Sequence, residues 1–228
     1  MLFFDPTFIF LIPAIILAIW AQALVSQRFT YYSKVRSTFG ITGAELARRL
    51  LDNSGLYDIK IETIPGQLTD HYDPRAKVVR LSQATYNNSS IAALGVVAHE
   101  IGHALQHAKN YAPLVVRNAF APVASFGSYF SWVIFFMGIL FWSPTMIRFG
   151  IVLFSLVVLF TLITLPVEFD ASKRAKRLLA EMGMPESEVI AVNKVLSAAA
   201  MTYIASMAMA MLQLLRMIFI AGLFGRRD

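Results

Sequence analysis

The chain has 228 residues, enough for one domain or two small ones. It is 57% hydrophobic and only 15% charged, with a mean hydropathy of +0.60, which is too apolar for an ordinary soluble domain and points to a membrane protein. The formal charge of +6 comes from basic residues that flank apolar runs, so membrane topology explains it better than nucleic-acid binding; the absence of cysteine excludes disulfides, thiolate nucleophiles and cysteine-bound zinc.

The first apolar run, Phe8 to Val25, is close to the roughly 20 residues that a helix needs to cross a bilayer. Asp5 precedes it, Arg28, Lys34 and Arg36 follow it, and no convincing small-x-small cleavage site is present. Residues 1–25 therefore read as an uncleaved anchor with its N-terminus outside. Residues 26–118 are more polar and read as a region outside the bilayer. Thr42 to Leu51 predicts an amphipathic helix, with Thr42 as N-cap and Glu45 three residues on. Ile59, Ile61 and Ile64 predict a strand leading to a turn at Pro65-Gly66, and Lys77 to Ser82 predicts a second strand. Asn87, Asn88 and Ser89 offer an N-cap for a helix that starts near Ser90 and runs to about His107.

Two further apolar runs, Ala119 to Trp142 and Phe149 to Val167, flank a short break from Ser143 to Arg148, which predicts a transmembrane helical hairpin over residues 119–167. The basic residues Lys173, Arg174, Lys176 and Arg177 come next. The excess of Lys and Arg puts them on the cytoplasmic side together with the 26–118 region, and counting two crossings between the two segments gives the same side. Residues 168–228 read as a helix of basic residues, then a hydrophobic helix from Val195 to Phe224. That last stretch is rich in small residues and interrupted by Gln213 and Arg216. It reads either as a fourth span or as a helix packed on the 26–118 region at the interface; if it crossed, Arg226 and Arg227 would lie outside, against the charge rule. The fold class expected is mainly α: an integral membrane helical protein with a small α+β region.

The chemistry is concentrated in His99-Glu-Ile-Gly-His103, an H-E-x-x-H pattern in a chain with only 4 histidines. On a helix, positions four apart share a face, so both imidazoles can reach one ion, and Glu100 can reach a water on it. Zinc lowers the pKa of such a water to about 7 and polarises the carbonyl under attack. The competing reading is a helix whose two histidines make ordinary hydrogen bonds. A catalytic zinc needs a third protein ligand and an open position. The position six beyond His103 is Lys109, which excludes the three-histidine metzincin pattern. His107 should drift off the shared face and sit a turn away. Glu168, in Pro166-Val-Glu-Phe-Asp170, is the better candidate, at the start of a basic helix after the third apolar run; alternatively it pairs with Lys173 or Arg174 on a solvated face. With these residues the small α+β region over 26–118 reads as a zincin-like catalytic region and the helix from Glu168 as the carrier of the third ligand, and one Zn2+ per chain is expected.

Around this core, Asp170 could hydrogen-bond a ligand histidine and orient it, or cap the following helix. Tyr203 and His71 could donate to the tetrahedral oxyanion. Otherwise Tyr203 is a packing aromatic, and His71 is a turn residue beside Asp70, Asp73 and Pro74. The strand at Val78 to Leu81 could be an edge strand that pairs with extended substrate, with Val79 as the position at which to test it.

The stretch His99-Glu-Ile-Gly-His-Ala-Leu-Gln106, the upstream Asp70-His-Tyr-Asp-Pro74 and the downstream Glu168-Phe-Asp-Ala-Ser172 resemble the bacterial neutral zinc metallopeptidases of the YugP type, over most of the chain. They are more distantly similar to CAAX prenyl endopeptidases and heat-shock membrane zinc proteases. Those families place the third ligand in an E-x-x-A-D pattern; Glu168 and Ala171 match it, and Ser172 replaces the final Asp. The resemblance implies zinc-dependent peptide hydrolysis at a bacterial inner membrane. The expected function is a membrane-embedded zinc endopeptidase with its site on the cytoplasmic side. Its partners would be a peptide or membrane-protein substrate and the lipid bilayer, with no nucleic acid. An intramembrane site-2-type protease is disfavoured because the segments flanking His99 are too polar to span. A non-catalytic zinc-binding scaffold is disfavoured because zinc binding alone needs no base at Glu100.

Overall fold

The computed structural model describes residues 6–224, so Asp5, Arg226 and Arg227 lie outside the described residues. In chain order, a short 3-10 turn leads into α1 (Ile12–Ser33), followed by α2 (Gly43–Asn53), β1 (Lys60–Ile64), β2 (His71–Asp73), β3 (Val78–Ser82), α3 (Gln83–Tyr86), α4 (Ile91–Ala108), α5 (Ala112–Leu140), α6 (Pro144–Glu181) and α7 (Glu186–Phe224). Four of the helices, α1 with its leading turn, α5, α6 and α7, are long and apolar enough to cross a membrane. The protein is thus a mainly α membrane protein with a small α+β region.

The chain divides into two compact units: Met1–Ala21 with Val115–Pro166 and Thr202–Asp228, and Gln22–Leu114 with Val167–Met201. The first unit is a helical one. Phe135, Ile147, Phe154, Val158, Ala210 and Met217 form its core, while Ile16, Trp20, Phe126, Tyr129, Phe136 and Phe219 stay exposed. An apolar exterior of this kind suits hydrocarbon as solvent, where packing rather than hydrophobic exclusion joins helices. Small residues permit the contact: a Cβ on Gly150 would lie 2.8 Å from the Ser131 carbonyl oxygen. The last apolar stretch is one unbroken helix, and Arg216 is accommodated within this unit. Its Nε donates to Thr7 Oγ1 at 3.0 Å, and its guanidinium lies 5.8 Å and 5.7 Å from the ring centres of Phe8 and Trp132.

The second unit holds the sheet and the H-E-x-x-H helix. The capping box foreseen at α2 is present: Thr42 N–H donates to Glu45 Oε2 at 2.8 Å, and Glu45 N–H donates to Thr42 Oγ1 at 3.3 Å. α4 begins one residue later than anticipated. Ser90 is its N-cap, and Asn88 instead accepts from the Ser90 N–H at 2.8 Å. The sheet order is β1-β3-β2, with β1 parallel and β2 antiparallel to β3. Two expectations are corrected here. β3 is the central strand rather than an edge, and Val79 is fully buried, so backbone pairing of substrate along β3 has no free edge to use. His71 is not in a turn but opens β2, opposite Arg80. A three-residue strand between Asp70 and Pro74 carries almost no periodicity to read.

The core of this unit joins Leu46 and Leu50 of α2, Val79 and Leu81 of β3, Leu94, Val97 and Ile101 of α4, Leu179 of α6, and Val192 and Leu196 of α7. The loop after α1 is tied to the first turn of α7: Glu188 accepts from Ser37 Oγ, from the Thr38 N–H at 2.8 Å and from Thr38 Oγ1 at 2.7 Å. A further difference concerns Pro166. The sequence suggests a new helix starting near Glu168, but α6 continues through the proline, and Glu168 sits in its interior. Proline removes one N–H and so leaves the Leu162 carbonyl without its usual partner. The boundary between the two units falls at this residue.

Candidate metal centre

All residues of the centre belong to the second unit. α4 presents His99 and His103 one turn apart, with ring centres 4.8 Å from each other. α6 presents Glu168, whose Oε2 lies 3.3 Å from His99 Nε2 and 3.5 Å from His103 Nε2. One ligand atom from each of the three residues falls within 4.8 Å of the others. Two N or O ligands on one tetrahedral zinc, each about 2.0–2.1 Å from it, are themselves about 3.4 Å apart. The carboxylate-to-imidazole separations match that spacing, and the donor set of two nitrogens and one oxygen suits zinc. Glu168 is buried, and Arg174, an alternative partner for it in the sequence reading, is paired with Asp170.

The close approach of α4 and α6 has a specific cause. A Cβ at Gly102 would stand 2.6 Å from the Ala171 carbonyl oxygen, so only glycine lets the two backbones meet here. Gly102 lies between the two histidines in sequence, and Ala171 lies three residues after Glu168. The contact that sets the helix spacing is therefore built into the motif itself.

Each imidazole is held through its other nitrogen. Ser172 Oγ is 3.2 Å from His99 Nδ1, and Gln106 Oε1 is 3.0 Å from His103 Nδ1. Asp170 does not touch a histidine directly; its carboxylate accepts from Gln106 Nε2 at 2.8 Å and from Arg174. Arg174 in turn lies 5.6 Å from the Tyr111 ring centre. Glu100, also buried, accepts from the backbone N–H of Tyr72 on β2 at 2.9 Å. Burial pushes the Glu100 carboxyl above the usual carboxylate range, with the two nearby imidazoles acting in the opposite sense. At His103, burial disfavours the charge, but the hydrogen bond to Glu168 and the neighbouring carboxylates outweigh it and raise the imidazole above its ordinary value.

Residues 7–222 match the model of a protein family described as "Putative neutral zinc metallopeptidase". The chain belongs to this family. It is 51% identical over 219 residues to a Bacillus subtilis (strain 168) protein named "Putative membrane protease YugP", a match that covers 94% of this chain and 97% of that one. No solved structure matches the chain. The family match takes in His99, Glu100, His103 and Glu168 as well as the four long apolar helices.

The other candidates fall elsewhere. His107 does not join the triad; its Nδ1 meets the Tyr72 hydroxyl at 2.9 Å. His71 is exposed, with Nδ1 2.9 Å from the Thr69 carbonyl oxygen and Nε2 3.5 Å from Arg80 Nη1, so its partners are not the ligand candidates. Tyr203 lies on α7 in the first unit. The Asp170 expectation is corrected in its route: any effect on His103 passes through Gln106. Three residues were not singled out for roles in the sequence, namely Gln106, Ser172 and Tyr72. Gln106 could have been found from its spacing, because a residue three beyond His103 on a helix lies beside it.

Proposed function

We propose that the chain is a membrane zinc endopeptidase in which His99, His103 and Glu168 hold one zinc ion and Glu100 is the general base. The observation that carries this reading is the pair of Nε2-to-carboxylate distances, 3.3 and 3.5 Å, beside a buried carboxylate. Three protein donors leave a fourth position open, as a catalytic site requires. Bound zinc would supply an acidified water and a polarised carbonyl.

The protein's own part is positional and acid–base. The Tyr72 N–H engages one oxygen of the Glu100 carboxylate and so holds it in place. Glu100 accepts the proton of the attacking water, and burial, by raising its proton affinity, suits it to that step. It then delivers the proton to the departing amine. His71, exposed and bonded to Thr69 and Arg80, is a candidate donor to the oxyanion. The substrate is a peptide or a membrane protein. The positive-inside pattern around Arg28, Lys34, Arg36 and Lys173 to Arg177 supports a site on the cytoplasmic side of the cell membrane. Against an intramembrane site-2-type mechanism, α4 is not among the helices apolar and long enough to span.

The test is a zinc and activity measurement on protein purified in detergent without chelator. About one zinc per chain is expected. Glu100→Gln should keep the zinc and lose peptide hydrolysis by orders of magnitude. Glu168→Ala should lose zinc. A wild type free of zinc, or a fully active Glu168→Ala, would remove the proposal.

A further inference from the structure

Gln106 is a fully buried amide one turn beyond His103 on α4, in the second unit. Its nitrogen donates to two acceptors on α6, the Val167 carbonyl oxygen and Asp170 Oδ2, each at 2.8 Å. Its oxygen lies 3.0 Å from His103 Nδ1. An amide flip would set the Gln106 oxygen against a carbonyl and a carboxylate, and would leave its two N–H groups facing the imidazole. The orientation is therefore imposed by chemistry: two acceptors demand the NH2 end. Arg174 makes this firmer, because its bond to Asp170 keeps that carboxylate in place as an acceptor.

An amide oxygen can only accept. His103 Nδ1 must then carry a proton, and Nε2 is the nitrogen turned toward Glu168, 3.5 Å from its Oε2, and the one that a metal can take. A free histidine side chain prefers the opposite tautomer, with the proton on Nε2, which cannot ligate through that atom. The His99 ring has no such constraint, since the Ser172 hydroxyl can donate or accept. We propose that Gln106 is a positioning residue: fixed by Asp170 and the Val167 carbonyl, it commits His103 to the Nδ1–H tautomer and so presents Nε2 as a ready metal donor. The inference rests on the reading of His103 as a zinc ligand.

The experiment uses full-length protein in detergent micelles, labelled with 15N-histidine, with the His103 signals assigned by their loss in His103→Asn. In the zinc-free wild type, His103 Nδ1 should be protonated, whether or not Nε2 carries a second proton toward Glu168. In Gln106→Met, which keeps the length and removes the acceptor, the tautomer should shift toward Nε2–H. Zinc affinity should fall about 10–100-fold, the range for loss of such an outer partner. A zinc-free wild type whose His103 Nδ1 carries no proton overturns the inference even if Gln106→Met does not fold. So does a folded Gln106→Met with wild-type tautomer and zinc affinity. A wild type that takes up no zinc at all overturns the metal-site reading, and this inference with it; zinc binding with the wrong tautomer overturns only the inference.

Discussion

His99 and His103 look equivalent in the motif, yet their outer partners differ in kind. His103 meets an amide whose direction is set by Asp170 and a backbone carbonyl, and His99 meets only the Ser172 hydroxyl. In the E-x-x-A-D pattern that this stretch resembles, that position is an Asp, and here the serine itself faces the histidine ring. A hydroxyl is a weaker and less directional partner than a carboxylate. Ser172→Ala is accordingly expected to weaken zinc binding by about tenfold, at the low end of effects for such partners. Ser172→Asp should restore or exceed wild-type affinity, because a charged acceptor holds Nδ1–H more strongly. Competition with a chromogenic chelator measures both. An affinity unaffected by Ser172→Ala would mean that His99 is oriented by packing alone.

At the scale of elements, the proposed site depends on two helices meeting at backbone distance. Gly102 and Ala171 make that meeting possible, with the buried Ala171 offering no side chain beyond its methyl. Gly102→Ala would force a Cβ to 2.6 Å from a helical carbonyl, so α4 or α6 must shift. The expected cost is about 1–3 kcal/mol, as for other overpacked sites, seen as a lower Tm. Zinc affinity should drop more than in Ser172→Ala, because the shift separates Glu168 from both imidazoles at once. A Gly102→Ala protein with wild-type zinc affinity would show that the helix spacing is not what sets the ligand geometry. The sheet contributes through β2: the Tyr72 N–H bonded to Glu100 comes from this short strand, which Arg80 of β3 grips through Asp73 at 2.8 Å. The hydrogen bond to Arg80 holds the Asp73 carboxyl at about 2.

At the scale of the whole molecule, the chain is a membrane protein whose basic segments suggest its orientation. We propose that the loops around β1 to β3 face the cytoplasm and that the turn between α5 and α6 faces outside. The lack of cysteine gives a direct check. In intact cells, Lys60→Cys should be protected from a membrane-impermeant maleimide and Thr145→Cys should be labelled, both positions being exposed in the fold. The reverse pattern would put the proposed active site on the outer face and refute the orientation.

The amino-acid order alone determined the features that local physics writes into neighbouring residues. The H-E-x-x-H face, the Thr42–Glu45 capping box, the strands at β1 and β3, and the apolar runs all follow from periodicity, capping or length within a few turns of chain. Glu168 was legible as a candidate from its place after an apolar run. Only the tertiary structure decided that β3 is central, that His71 opens a strand, that α6 passes through Pro166, and that Gln106 and Ser172 grip the histidines. Ser172 and His99 are 73 residues apart, and Gln106, though only three residues from His103, takes its orientation from Val167 and Asp170, 61 and 64 residues away. Which side chains meet across such distances is set by the packing of the whole unit, and no local pattern records it.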